Sequence, residues 1–219
     1  MQLVRTNKKG LYLVVTALVL VLCGELYIDL ILTKQLPNYN SAIQTLSYIG
    51  AEGSPLAEVI KWWGVCHTLL FAVFAYGFYS AFEQKNAVVK MAVVILVIYG
   101  LGEGVGSGFF PVDAQHSGTV STSFFLHNLF GGFADLVVFG LPTLVLRLFP
   151  KKYYERFHIQ TWVCVGSVLL FSGLFMASKY FNLTSAIFEY RGLWQRCYMI
   201  SFYIYFVFLS VRLYRSNHE

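Results

Sequence analysis

Charge is scarce in this sequence. Only 12% of the 219 residues are Asp, Glu, Lys or Arg, about half of the roughly 25% that soluble domains carry. Hydrophobic residues make up 57% of the chain, and the mean hydropathy is +0.61. This shortage of charge excludes an ordinary soluble domain as the bulk of the protein, because the apolar residues also come in runs that are too long for globular helices.

Sequence motifs that identify a particular class of enzyme are also missing. No H-E-x-x-H, H-x-x-x-D or G-x-S-x-G pattern occurs, so no named hydrolase is indicated. The cysteines lie one per apolar run without a CxxC pair, as expected of small buried side chains. The formal charge of +5 does not indicate nucleic-acid binding, because the basic residues sit at the ends of apolar runs and form no patch of their own.

The long apolar runs predict transmembrane helices. A bilayer core of about 30 Å requires about 20 apolar residues in a helix, and in lipid each segment must satisfy its own backbone hydrogen bonds. Six segments qualify, at residues 11–32, 62–82, 91–110, 123–146, 161–180 and 193–211. The sequence therefore predicts an all-α, polytopic membrane protein whose residues 1–219 form a single six-helix transmembrane domain. No signal peptide is predicted, because no small-residue cleavage site follows the first run.

The distribution of Lys and Arg predicts the orientation. With the N-terminus inside, eleven of the 16 basic residues fall on the cytoplasmic side and five on the outer side. The pair Lys151-Lys152, between the fourth and fifth spans, is the clearest single signal. We therefore predict a multi-pass protein of the cell membrane with both its N- and C-termini in the cytoplasm and membrane lipids around it.

Ionisable side chains gather near the outer level of this topology. A charge buried at the centre of a spanning helix costs at least about 2.5 kcal/mol, so a cluster of such groups suggests a shared, partly hydrated pocket. The candidate ligand-binding residues are Glu25, Asp29, His67, Glu103 and Asp135. Asp113, His116 and His127 are the candidate metal ligands, since His and carboxylate together are typical of zinc sites. The same cluster is also consistent with proton transfer or with a hydrogen-bonded network that only holds helices together.

Glycine is dense at the end of the third span. Gly stands at every second position of residues 100–108, and Gly100, Gly104 and Gly108 would form a smooth strip on a helix that lets another backbone approach. Gly131-Gly132 on the fourth span is the expected matching surface. The first outer connection is the longest, and its pattern around Ile43, Leu46 and Ile49 predicts a short helix lying on the membrane surface.

Two stretches of the sequence resemble a known family. The first is residues 46–50 with Ser54-Pro55, and the second runs from Gly106 to Asp113 and is followed by His116 and by Leu126-His127-Asn128. They are similar to the bacterial six-span membrane family called domain of unknown function nine-nine-eight, which is distantly similar to the eukaryotic autophagy-modulator membrane proteins. The resemblance implies a compact six-helix bundle in a cytoplasmic membrane and brings no established reaction. Pro111, Asp113, His116 and His127 are the positions that match.

The expected function is non-enzymatic. An outward-facing pocket of His, Asp and Glu side chains favours binding of a lipid, a headgroup or a small ligand, or a role as an accessory membrane component. A membrane-embedded, metal-dependent hydrolase is the main alternative. A proton-coupled transporter is the third, although the inner half of the bundle offers no continuing chain of ionisable groups.

Overall fold

The structure is a computed structural model that describes residues 7–113, 121–181 and 185–216. Six stretches of helix in those ranges are long and apolar enough to cross a membrane, which confirms the all-α, six-span prediction. The spans are α1 (Lys8–Leu30), α2 (Ala57–Ala81), α3 with α4 (Ala87–Gly100 and Ser107–Phe109), α5 with α6 (Thr122–Val138 and Gly140–Leu148), α7 (Lys151–Tyr180) and α8 (Arg191–Ser216). We call the end of the bundle that carries the connection 31–56 the loop face.

Most spans begin a few residues before the predicted position, and α7 begins earliest. It starts at Lys151 instead of residue 161, because its first turns carry polar side chains that a hydropathy criterion leaves out. α5 ends at Val138, and α6 resumes at Gly140. Pro142 explains this break, because a proline ring clashes with the carbonyl four residues earlier, here that of Val138.

The glycine-rich run departs from α-helical geometry. Residues Leu101–Gly106 form a π-helical segment between α3 and α4. Thr68 of α2 inserts its hydroxyl there, since Oγ1 donates to the Gly100 carbonyl at 2.7 Å and accepts from the Val105 amide at 3.1 Å. An inserted side chain of this kind is a recognised cause of a break in the helical hydrogen-bond ladder, and glycine weakens the α-helix enough to permit it.

The glycine strip packs against α2. A Cβ added at Gly104 would lie 2.4 Å from the carbonyl oxygen of Gly64, and one added at Gly64 would lie 2.5 Å from that of Gly104. Gly102, on another side of the segment, instead faces Phe130 and Ala134 of α5. The prediction of a close helix contact is therefore correct, but the predicted partner, Gly131-Gly132, is wrong: the backbone that approaches Gly104 belongs to α2.

The helices form a ring around an aromatic centre. α1 packs on α2, α2 on α3, α3 on α6, α7 on α8, and α8 on α1. Phe71 contacts the rings of Tyr99 and Phe206, with centroids 4.9 and 5.6 Å apart. Burial of such side chains against one another fills the middle of the bundle. This apolar core forms the floor of the space described next.

The first connection folds onto the loop face of the bundle. Where the sequence predicted a short surface helix, the structure has a single 3-10 turn, Leu46–Tyr48. Ile49 is fully buried and belongs to a small cluster with Ile28, Leu32 and Leu56. Ile49 therefore faces the protein, whereas Ile43 is 40% exposed.

Candidate functional site

A cavity of about 370 Å³ lies below the first connection, between the loop face and the aromatic core. All spans contribute to its walls, and the segments 46–50 and Pro111 cover it at the loop face. Of the eight candidate site residues, five line it: Glu25, His67, Glu103, His127 and Asp135.

Three carboxylates reach the cavity from three different elements. Glu25 of α1 accepts a hydrogen bond from the Trp63 indole at 2.9 Å, and Asp135 of α5 accepts one from the Tyr198 hydroxyl at 3.2 Å. Glu103 lies on the π-helical segment, close enough to the carboxyl groups of Glu25 and Asp135 to interact electrostatically with each. In the described part of the chain, no side chain donates a hydrogen bond to Glu103.

The two histidines of the cavity differ in their surroundings. His67 is buried with its ring 4.7 Å from that of Phe71, and its Nδ1 has no partner among the described residues. Both ring nitrogens of His127 have hydrogen-bond partners. Its Nδ1 lies 2.8 Å from the Phe110 carbonyl oxygen and 3.1 Å from that of Ser107, and its Nε2 lies 3.0 Å from Ser47 Oγ. Because carbonyl oxygens only accept, Nδ1 carries the proton and Nε2 accepts from the Ser47 hydroxyl.

Asp29 lies outside the cavity lining. Arg196 of α8 donates to its carboxylate from Nη2 at 2.6 Å and from Nε at 3.0 Å. The same guanidinium donates to the Ser41 and Gln44 carbonyls and to the Tyr39 hydroxyl. Burial raises the pKa of Tyr39, although the nearby Arg196 charge opposes the rise. Asp29 thus helps to hold the first connection onto α8, and ligand binding by Asp29 stays a prediction.

Of the three candidate metal ligands, the structure describes Asp113 and His127. Asp113 does not line the cavity and accepts a hydrogen bond from the Ser121 hydroxyl at 2.7 Å. His116 lies outside the residues that the structure describes. Among those it does describe, no group of three or more His, Cys, Asp or Glu side chains is placed to hold a metal ion. Zinc binding stays a prediction.

Several cavity residues were not singled out in the sequence. Lys179, near the loop-face end of α7, also lines the cavity and donates to the Asn128 side-chain oxygen. Tyr198 and Tyr203 of α8 line it as well, and the Tyr203 hydroxyl is buried without a partner among the described residues. The sequence could have indicated Lys179, because a lysine within an apolar run is unusual. Tyrosine is too common here, at 15 residues, for the sequence to single out two.

The family model described as "Protein of unknown function (DUF998)" matches residues 12–212 of this sequence. No curated protein and no solved structure matches it. The match covers all six spans except the first residues of α1 and the last of α8.

Proposed function

The chain belongs to the DUF998 family of proteins of unknown function, and from the chemistry of its cavity we propose that it binds a small amphiphile that carries a cationic amine. The observation that carries this proposal is Glu103. A carboxyl group removed from bulk water stays ionised only beside hydrogen-bond donors or an opposite charge, and in the described part of the chain no side chain donates to it. A protonated amine would supply both.

The other walls of the cavity favour the same ligand class. Glu25 and Asp135 place two further carboxyl groups beside Glu103, and Trp63, Tyr99 and Tyr198 present aromatic rings. Aromatic faces attract ammonium groups by about 0.5–2 kcal/mol. The cationic side chain of the cavity, Lys179, is directed at Asn128 and does not hydrogen-bond to these carboxylates. Three carboxyl groups that can ionise beside a bound cation outnumber this lysine, which favours a cation over an anion as the ligand.

We also propose that the loop face is extracytoplasmic and that the protein resides in the cytoplasmic membrane. The excess of Lys and Arg at the opposite ends of the spans supports this orientation, with eleven basic residues there against five. The cavity would then receive its ligand from the outer half of the bilayer or from the space outside the cell.

A thermal-shift titration with dodecylamine in a neutral maltoside detergent tests the ligand class. The melting temperature of the wild-type protein should rise with dodecylamine and not with dodecanol. Glu103→Gln should weaken the apparent affinity at least tenfold, because it removes the charge that attracts the ammonium group. Glu58→Gln is the matched control, since Glu58 is exposed and its ion-pair partner in the described structure is Lys61, at 3.4 Å.

Two results would contradict the proposal. One is an equal response to dodecylamine and dodecanol, which would show that the amine contributes nothing. The other is an unchanged affinity in Glu103→Gln. A stoichiometric zinc in protein purified without chelator would instead favour the metal-dependent alternative.

A further inference from the structure

The cavity has a weakly covered side between α5 and α7. α5 packs against α3 and the π-helical segment, whereas α7 packs along α8, and these two helices scarcely touch each other although both line the cavity. We call this side the α5–α7 gap. Elsewhere in the described structure, neighbouring spans of the ring pack directly on one another.

Defined contacts close the two ends of the α5–α7 gap. At the loop face, Lys179 of α7 hydrogen-bonds to Asn128 of α5. Toward the middle of the bundle, the ring of Phe139, which follows α5, meets the ring of Phe202 on α8 behind the gap, with centroids 5.4 Å apart. Eleven residues separate Asn128 from Phe139, which corresponds to about 16 Å of helix. The gap therefore spans about half of a 30 Å bilayer core, the half nearer the loop face.

Small and exposed side chains line the α5–α7 gap. A Cβ added at Gly132 of α5 would meet no atom within 4 Å. Leu136, one turn further along, is 70% exposed, and Met176 on α7 is 49% exposed. All three residues also line the cavity, so the cavity is continuous with the lipid-facing surface of the bundle at this point.

At the loop face, the described segment 46–50 and Pro111 cover the cavity. Segment 46–50 lies over the cavity and is tied down at both sides, since the Leu46 amide donates to Gln195 at 2.7 Å and Ser47 bonds to His127. Arg196 holds the preceding residues through the Ser41 and Gln44 carbonyls. Entry from water would require this covering segment to detach, whereas entry from the membrane would not.

We propose that the α5–α7 gap is a lateral portal for a long-chain amine from the surrounding bilayer. The ammonium group lies among Glu25, Glu103 and Asp135, and the hydrocarbon chain leaves between Leu136 and Met176 into the lipid. A chain that stays in hydrocarbon loses no hydrophobic stabilisation when the headgroup binds. This inference rests on the proposed ligand class and adds the route and the position of the chain.

Photo-crosslinking in phosphatidylcholine nanodiscs tests the portal. A long-chain primary amine with a diazirine in its chain should label residues 132–139 and 172–176 in a saturable manner, and dodecylamine should compete. Gly132→Trp, which fills the gap, should lower the saturable labelling at least fivefold. Gly173→Trp is the matched control, because Gly173 is also an open glycine on these helices but does not line the cavity. Met176→Trp fills the gap from the opposite wall and provides a second test should Gly132→Trp not fold.

The possible outcomes distinguish a failure of the portal proposal from a failure of the proposed ligand class. Saturable labelling that is lost in Glu103→Gln but retained in Gly132→Trp and Met176→Trp would overturn the portal and leave the amine-binding proposal standing. No saturable labelling of the wild-type protein would overturn both. Equal loss in Gly132→Trp and Gly173→Trp would show a general effect of tryptophan on the bundle, and would also count against the portal.

Discussion

Arg196 joins three parts of the protein through one guanidinium. It pairs with Asp29 of α1 and also reaches the backbone of the first connection at Ser41 and Gln44. Its side chain is only 11% exposed. Removing one member of such a pair leaves the other charge poorly compensated, which costs more than the pair itself contributes.

Arg196→Ala should therefore destabilise the protein by about 3 kcal/mol, measured by thermal or denaturant unfolding in detergent. Arg191→Ala is the matched control, because Arg191 is exposed and makes a single 3.3 Å bond to the Ile43 carbonyl. Asp29→Asn in the Arg196→Ala background should recover part of the loss. Equal stability of the two arginine variants would mean that the Arg196 contacts are not formed in the membrane-embedded protein.

Two acidic residues with the same local sequence pattern, Glu25 and Asp29, have different surroundings in the structure. Glu25 and Asp29 lie one helical turn apart on α1 and were both predicted to bind a ligand. Glu25 accepts from Trp63 in the cavity, whereas Asp29 is held by Arg196 at its edge. Nothing in the local pattern distinguishes them, because the distinction depends on which residue of another helix packs opposite each.

At the scale of helices, α2 and the π-helical segment make a close backbone contact in the cavity wall. Gly64 and Gly104 face each other so closely that either Cβ would approach the other backbone to about 2.5 Å. The same contact aligns Thr68 with Gly100 and Val105 and holds Glu103 at the cavity. A side chain added here would force the two helices apart and displace Glu103.

Gly104→Ala should lower stability by on the order of 1–3 kcal/mol, and Gly104→Leu by more. The melting temperature and the monodispersity in size-exclusion chromatography report the effect. Gly166→Ala on α7 is the control, since a Cβ there meets nothing within 4 Å. It should be at least as stable as the wild type, because alanine favours the helix more than glycine does. A Gly104→Leu protein as stable as Gly166→Ala would show that the strip faces lipid.

At the scale of the whole molecule, the orientation of the protein in the membrane determines from which side the cavity can receive a ligand. Reporter fusions after Lys152 and after Glu219 should report the cytoplasm, and a fusion after Asp113 should report the outside, because Lys and Arg are retained on the inner side. A fusion after Lys85 is a further inner control. A cytoplasmic signal after Asp113 would invert the cavity and remove the proposed access from the outer half of the bilayer.

The six spans and the level at which ionisable groups collect could be predicted from the sequence, as could the family from two short motifs within it. These properties depend on local composition, since about 20 consecutive apolar residues are sufficient to define a span in lipid. Five of the eight candidate site residues line the cavity for the same reason, because the spans bring groups of similar depth to one level. The spacing of Gly100, Gly104 and Gly108 likewise predicted a close helix contact without naming α2 as its partner.

Only the packing of the helices shows which of these groups face the cavity. Asp29 meets Arg196, 167 residues away in the chain, and the α5–α7 gap exists because α7 packs on α8 and not on α5. Such pairings depend on the shapes of distant helices, which hydropathy does not encode. The π-helical turn at Leu101–Gly106 has the same origin: glycine permits it, but the Thr68 hydroxyl of a neighbouring helix stabilises it.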